Sequence, residues 1–195
     1  MRVRFRVTPE MRSNDKLIAA TAYLDAGMKL LLTHGIDKRG RCTCGRRQCR
    51  SPGKHPLPEF PNGVHSATRS STKIKRLLIK NPDANLALCL EGRTVVDIDG
   101  DDGEVTLRSL ELPPTAEVIT SRGRHLHYSG ELEDGSFKTR QLDMLTGASR
   151  YVMLPPSHHE TGVNYRWRDD SRKITAATPE ELDRLRKVVK KTITF

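Results

Sequence analysis

The spacing of hydrophobic and polar positions changes several times along the chain, and each change marks an element. "MRVRFRV" sets Arg against Met, Val and Phe with period two, the pattern of a half-buried strand or a basic arm. "NDKLIAATAYLDAG" has helical character, with Asn14 or Asp15 to start it and Gly27 to stop it. "MKLLLTH" predicts a short buried strand. Residues 35–66 carry Gly, Pro, Cys and basic residues without periodicity. So long a structureless loop is unusual in a compact domain, so a metal is expected to organise it. "SSTKIKRLLIKNP" predicts a short basic helix, capped by Ser70 or Ser71 and ended before Pro82. "ANLALCLEGRTVVDID" predicts two strands meeting in a hairpin at Glu91-Gly92. "DDGEVTLRSLE" predicts a helix that "LPPT" ends, and "AEVITSRGRHLHYSG" a second hairpin that turns near Arg122-Gly123. "QLDML", "SRYVMLPPS" and "VNYRWR" predict three further strands. "TPEELDRLRKVVKK" predicts a closing helix within 178–195, with Thr178 as N-cap and Pro179 at its first position. The sum is an α+β chain with several antiparallel strands and no internal repeat.

The strand "VVDID" carries the first candidate chemistry. Side chains two apart on a strand share a face, so Asp97 and Asp99 project together, roughly 7 Å apart at the backbone. Two carboxylates so placed raise each other's pKa unless a cation lies between them, and hard oxygen donors suit Mg²⁺ or Mn²⁺. The alternative is a strand end that runs into the polar loop "GDDG". Asp143, flanked by Leu142 and Met144, is a third acid on an apolar strand. Asp101 and Asp102 fall beyond the strand, in a loop or at a helix start. In "TSRGRHLHY", His125 sits just inside a strand and His127 shares its face. A histidine and an arginine beside a glycine turn can donate to phosphate oxygens; the alternative for a strand histidine is a structural one.

Composition adds a polyanion and a second metal. The 195 residues carry a formal net charge of +10, and its distribution is uneven. Residues 1–80 hold 18 Lys/Arg against 5 Asp/Glu, and residues 81–195 hold 16 against 19. A basic first part points to nucleic acid, with simple solubility as the alternative. Three of the four cysteines cluster in "CTCGRRQCRSPGKH", a C-x-C-x4-C-x5-H pattern. Cys42, Cys44, Cys49 and His55 make a sufficient tetrahedral zinc set, with His34 or His65 as substitutes for His55. Arg41, Arg46, Arg47, Arg50 and Lys54 lie among or beside these ligands. Cys89 sits in an apolar run and reads as core. No apolar run reaches membrane-span length and no signal-peptide pattern follows Met1, so a soluble cytoplasmic protein of one domain is expected.

The order of these motifs resembles the bifunctional primase–polymerase (prim-pol) domain of the archaeo-eukaryotic primase superfamily, of phage and plasmid replication type. The resemblance runs over nearly the whole chain after about residue 14. It rests on "CTCGRRQCRSPGKHP", on "NGVHSATRSSTKIKRLLIKNPDANLALCLEG", on "VVDID", "GRH" and "LD", and on "YVMLPPSHHETGVNYRW". It implies a primase-like fold: an RRM-like antiparallel catalytic sheet packed with an N-terminal α/β part that carries an inserted zinc loop over 35–66. It implies two Mg²⁺ or Mn²⁺ ions on Asp97, Asp99 and Asp143, one to activate a primer 3′-OH and one to bind the triphosphate. His125 would meet the incoming triphosphate. Ser121, Arg122, Ser157, His159 and Lys54 are further nucleotide-contact candidates. The implied partners are a single-stranded DNA template, a primer strand, dNTP or NTP, and a replicative helicase in cis or trans. This sequence departs from the family pattern at Arg122, where a glycine-like residue is usual, and at Met144 and Leu145, where an Arg and glycines usually follow the acid. Two readings from other classes compete: a non-catalytic zinc-containing single-stranded nucleic-acid-binding module, and a D-x-D nucleotide-sugar transferase. The acid trio argues against the first; the basic first part and the cysteine cluster have no role in the second.

Overall fold

The computed structural model describes residues 5–108, 112–132, 135–138, 142–169, 173–176, 178 and 180. In chain order the strands are β1 (Phe5–Arg6), β2 (Leu30–Thr33), β3 (Asn85–Asp99), β4 (Ala116–Ile119), β5 (Gly123–Ser129), β6 (Phe137–Lys138), β7 (Leu142–Leu154), β8 (Arg166–Trp167) and β9 (Lys173–Ala176). The helices are α1 (Lys16–Asp25), α2 (Ser71–Lys80) and α3 (Gly100–Arg108). The result is a mixed α/β protein around an antiparallel sheet, compatible with a primase-like fold; among the described residues β5 and β9 form the one parallel pair.

The sheet is organised by β3. Its first half pairs with β2, its second half with β5, and both halves pair with β7. The predicted hairpin at Glu91-Gly92 is therefore corrected: the chain does not reverse there. Both halves of β3 keep one direction because they lie along the same partner, β7. The register shifts between Cys89 and Thr94, and Gly92, at φ 72°, takes the left-handed conformation of the irregularity. The predicted strands "QLDML" and "SRYVMLPPS" are likewise one strand, β7, whose exposed residues 148–150 fall opposite the same break. The strand expected from "VNYRWR" is reduced to Arg166–Trp167, and β6 and β9 have no counterpart among the predicted elements. Phe5 and Arg6 of the first predicted strand pair with Ile174 and Lys173. The predicted closing helix lies outside the described residues except for Thr178 and Glu180.

The remaining elements follow their local chemistry. Asp15 caps α1 by accepting from the backbone N–H of Leu17 and Ile18, and Gly27, at φ 73°, follows its end. Ser70 caps α2 through the N–H of Lys73, and Ile74, Leu77 and Leu78 are its buried stripe. Asp101 and Asp102 lie in the first turn of α3, where acids favour the helix dipole, and both are exposed.

Two hydrophobic clusters flank β3. One joins α1, α2, β2 and the first half of β3 through Tyr23, Leu31, Ile74 and Leu88. The other packs Val96, Ile98, Leu126, Tyr128, Leu142 and Met144, with Leu107 of α3 against it. The Tyr23 hydroxyl lies 3.0 Å from the carbonyls of Met11 and Pro155 and accepts from Trp167 Nε1 at 2.7 Å. One buried hydroxyl thus joins the segment before α1, the end of β7 and β8.

Candidate active site and metal-ligand cluster

The register of the sheet places the acids. Asp97 of β3 lies directly opposite His125 of β5 on one side and Asp143 of β7 on the other. Residues directly opposite in antiparallel strands share a face, so these three side chains form one row across three strands. Asp99, two residues on, shares that face and lies opposite Gly123. Val96 and Ile98 point to the other face and are fully buried there. From Val96 to Asp99 the alternation is thus divided between a core face and a polar face, while Val95, on the face of the acids, is buried in the first cluster.

Gly123 has a steric reason. A Cβ there would come within 1.9 Å of the Ile98 carbonyl oxygen, so only glycine lets β5 begin this close to β3. The small residue of "GRH" is what allows His125 to stand beside Asp97. The β4–β5 hairpin is pinned from the opposite face. Arg124 meets Glu104 of α3 through two bonds of 2.8 Å and Glu117 of β4 at 2.6 Å. Arg168 adds a second cation to Glu117 at 2.9 Å, which compensates a carboxylate only 3% exposed.

Each of the three acids has a protein cation or imidazole beside it. His125 Nε2 is 3.3 Å from Asp97 Oδ1, Arg122 Nη2 is 3.4 Å from Asp99 Oδ2, and Lys138 Nζ is 2.5 Å from Asp143 Oδ2. Burial alone would raise the pKa of Asp97. The hydrogen bond and charge of His125, with Lys54 and Lys138 farther out, outweigh it and hold the carboxyl below its usual value. Tyr165, only 5% exposed, has its ring 6.1 Å from those of both His125 and His159. Its phenol is pushed well up by burial and then by the Asp97 carboxylate.

The other candidate residues divide. His159 is 7% exposed and accepts at Nδ1 from the Thr161 N–H, which leaves Nε2 as its donor when neutral. Burial, then the positive charge of Lys54, lowers its pKa. Asn85, a fully buried residue inside the stretch "NPDANLALCLEG", ties the Lys54 loop to the His159 loop. Its side chain donates to the carbonyls of Gly53 and His158 and accepts from the His158 N–H. Arg122 and Ser121 lie in the β4–β5 turn, Arg122 exposed and Ser121 half-buried. Ser157, a further candidate, lies inside the fold. It is 0% exposed, and its hydroxyl both donates to the Leu86 carbonyl and accepts from the Leu86 N–H, which occupies it in the fold. Lys138 is missed by sequence motifs, because it lies on a two-residue strand without periodicity. Tyr165 falls within the stretch "YVMLPPSHHETGVNYRW", yet nothing local marks it as a neighbour of His125.

The cysteine loop closes as its spacing suggests. One ligand atom from each of Cys42, Cys44, Cys49 and His55 lies within 4.8 Å of all the others, a set that could hold zinc. His34 packs its ring against His55, centroids 4.5 Å apart, and bonds Thr43, while His65 is exposed; neither joins the set. The Gly53 N–H donates to Cys42 Sγ at 3.4 Å. Burial raises the Cys42 thiol; burial also pushes the Cys44 thiol up, but backbone and thiol hydrogen bonds together with the Arg46 charge outweigh it and carry Cys44 below its usual value. Among the described residues this is the one group of Cys, His, Asp and Glu whose ligand atoms converge so closely. The three acids fit a hard cation by donor type and shared face, but their oxygens stand farther apart, with protein cations beside them.

A sheet with an acid row on one face, served by a histidine from the neighbouring strand and a basic loop nearby, defines a class of protein suited to phosphate chemistry. The family comparison is more specific. The model of the bifunctional DNA primase/polymerase N-terminal domain, Prim-Pol, matches residues 20–181, and the chain belongs to that family. DNA primase or polymerase activity, nucleotidyl transfer, and binding of DNA and nucleotides follow at the level of the family, whose enzymes generally use divalent metals. The match gives no support to a helicase partner. No curated protein matches the chain. No helix among the described residues is long and apolar enough to cross a membrane.

His127, on the same face as His125, supplies a pH test of this region. It is 2% exposed, and burial, then the positive charge near His125 and Arg93, pushes its pKa well down. A base depressed in the folded state stabilises fully above its unfolded pKa and loses that contribution as pH falls below it. Stability is therefore expected to fall below pH ~6.5, by up to about 1.4 kcal/mol per pH unit from this residue. In His127→Phe that part of the slope disappears, as urea unfolding at pH 7.5, 6.5 and 5.5 would reveal. Equal slopes in the two proteins would contradict it.

Proposed function

We propose that this protein is a DNA-directed primase–polymerase that adds nucleotides to a primer on a single-stranded template. The observation that carries the reading is the in-register row of His125, Asp97 and Asp143 across three strands, with Asp99 on the same face. Asp97, Asp99 and Asp143 are the ligands for two Mg²⁺ or Mn²⁺ ions, which when bound activate the primer 3′-OH and stabilise the leaving pyrophosphate. His125, now bonded to Asp97, donates to the incoming triphosphate. Arg122 turns its guanidinium to the same phosphates, with Ser121 beside it. His159 and Lys54, gathered by Asn85, complete the nucleotide side, and Lys54 can also meet the template. A lysine presents a mobile point charge there, whereas the arginine fork suits paired oxygens.

The surrounding parts take matching roles. β3, β5 and β7 with α3 form the RRM-like half of one prim-pol domain spanning the chain, and the N-terminal α/β part packs beside it. The 35–66 loop is inserted into that part and holds one structural zinc on Cys42, Cys44, Cys49 and His55. The basic first part follows the nucleic-acid backbone, so affinity falls as salt rises. The setting is phage or plasmid DNA replication in a cytoplasm.

Primer extension on a single-stranded template with Mn²⁺ tests the reading. The wild type is expected to extend with labelled dNTP or NTP. Asp97→Ala and Asp143→Ala are expected to lose about three orders of magnitude in rate. A wild type as inert as its variants, but still bound to DNA, would point instead to a non-catalytic zinc-containing binding module. Salt-insensitive or absent DNA binding would favour a nucleotide-sugar transferase. For the loop, metal analysis of purified protein is expected to find about one zinc per chain, lost in Cys49→Ser. A folded protein without zinc would remove the structural ion.

A further inference from the structure

Lys138 stands in an unexpected place. It lies on β6 directly opposite Asp143 of β7, and its Nζ contacts Asp143 Oδ2 at 2.5 Å. Its charge also reaches Asp97, the central acid of the row. The Lys138 side chain is 66% exposed, whereas that of Asp143 is 21% exposed. An exposed ammonium on a flexible stem forms a weak, replaceable ion pair. A divalent cation binding Asp143 needs the oxygens that the ammonium now faces, and two positive charges cannot share that carboxylate without repulsion. Breaking the pair leaves Lys138 a free cation at the edge of the site, where only an anion can compensate it.

From this contact we infer that Lys138 is a built-in counter-ion that competes with metal at Asp143 and couples metal binding to nucleotide binding. The inference rests on the reading of Asp97, Asp99 and Asp143 as metal ligands. Free metal meets a site whose third acid is already neutralised. A metal–triphosphate complex brings its own anion, to which Lys138 transfers as the metal takes Asp143. The site therefore favours metal that arrives with nucleotide over metal alone, and Lys138 becomes a triphosphate contact once displaced. No covalent step is involved.

Mn²⁺ binding, read as loss of the free-ion electron paramagnetic resonance signal, tests this without turnover. It is measured with and without a non-hydrolysable dNTP analogue, on the zinc-loaded full chain. In the wild type the analogue is expected to tighten Mn²⁺ binding. Lys138→Met keeps the stem and loses the charge; it is expected to bind Mn²⁺ alone about three- to tenfold tighter and to gain less from the analogue. Lys138→Arg, which keeps the charge, is expected to stay close to wild type. Lys138→Met with unchanged or weaker Mn²⁺ affinity overturns the inference. Asp143→Asn separates the two levels. If it binds Mn²⁺ as the wild type does, the metal-ligand reading itself fails; if it loses Mn²⁺ while Lys138→Met changes nothing, only the role of Lys138 fails.

Discussion

The hydrogen-bond ladder along β3 fixes everything else in the site. Asp97 is set between His125 and Asp143 by register alone, and a one-residue slip of either neighbour would send the matching side chain to the opposite face. That register is held by burial on the core face, where Val96, Ile98, Leu126 and Met144 pack together. It is also held by the close approach that Gly123 permits at Ile98. The polar row is in this sense a by-product of a well-specified apolar one: the same alternation that buries one set of residues aligns the other.

Placing acids side by side on a half-buried face carries an electrostatic cost, which the structure meets with an imidazole and local cations. His125, Arg122 and Lys138 each stand on one acid, and Lys54 adds its field from the neighbouring loop. At Asp97 the balance holds the carboxyl below its usual value despite burial. Groups that balance acids in one state are also the groups that can turn to a triphosphate in another. On the opposite face the Arg124–Glu117–Arg168 network is more enclosed and links β4, β5 and α3, so it belongs to the scaffold.

The sequence is most legible where chemistry and periodicity coincide. α1 and α2 are readable from their caps, and the turn at Arg122-Gly123 from its glycine. The pairing of Asp97 and Asp99 on one face needs only the strand period. The closure of Cys42, Cys44, Cys49 and His55 is readable from ligand type and spacing. The hairpin expected at Glu91-Gly92 fails because glycine at positive φ serves a strand irregularity as well as a reversal, and only the long-range partner β7 decides between them. The same partner explains why two short segments on either side of residues 148–150 are one strand. Lys138 carries no local signal, and Asn85, though inside a stretch that carries the family resemblance, gives no local sign of what it bonds. One acquires its place through cross-strand register, and the other through bonds to Gly53 and His158, far away in sequence. Ser157 looks available in a polar loop, yet its hydroxyl is spent on the backbone of Leu86.

The central claim is that metal and nucleotide meet at the acid row. A crystal grown with Mn²⁺ and a non-hydrolysable dNTP analogue, with Mn located by anomalous scattering, is the most direct measurement. The expected result is Mn²⁺ bonded to carboxylate oxygens of Asp97 and Asp143, with the triphosphate beside His125. Mn²⁺ and nucleotide bound elsewhere, with Asp97 still facing His125 and Asp143 still facing Lys138, would contradict it.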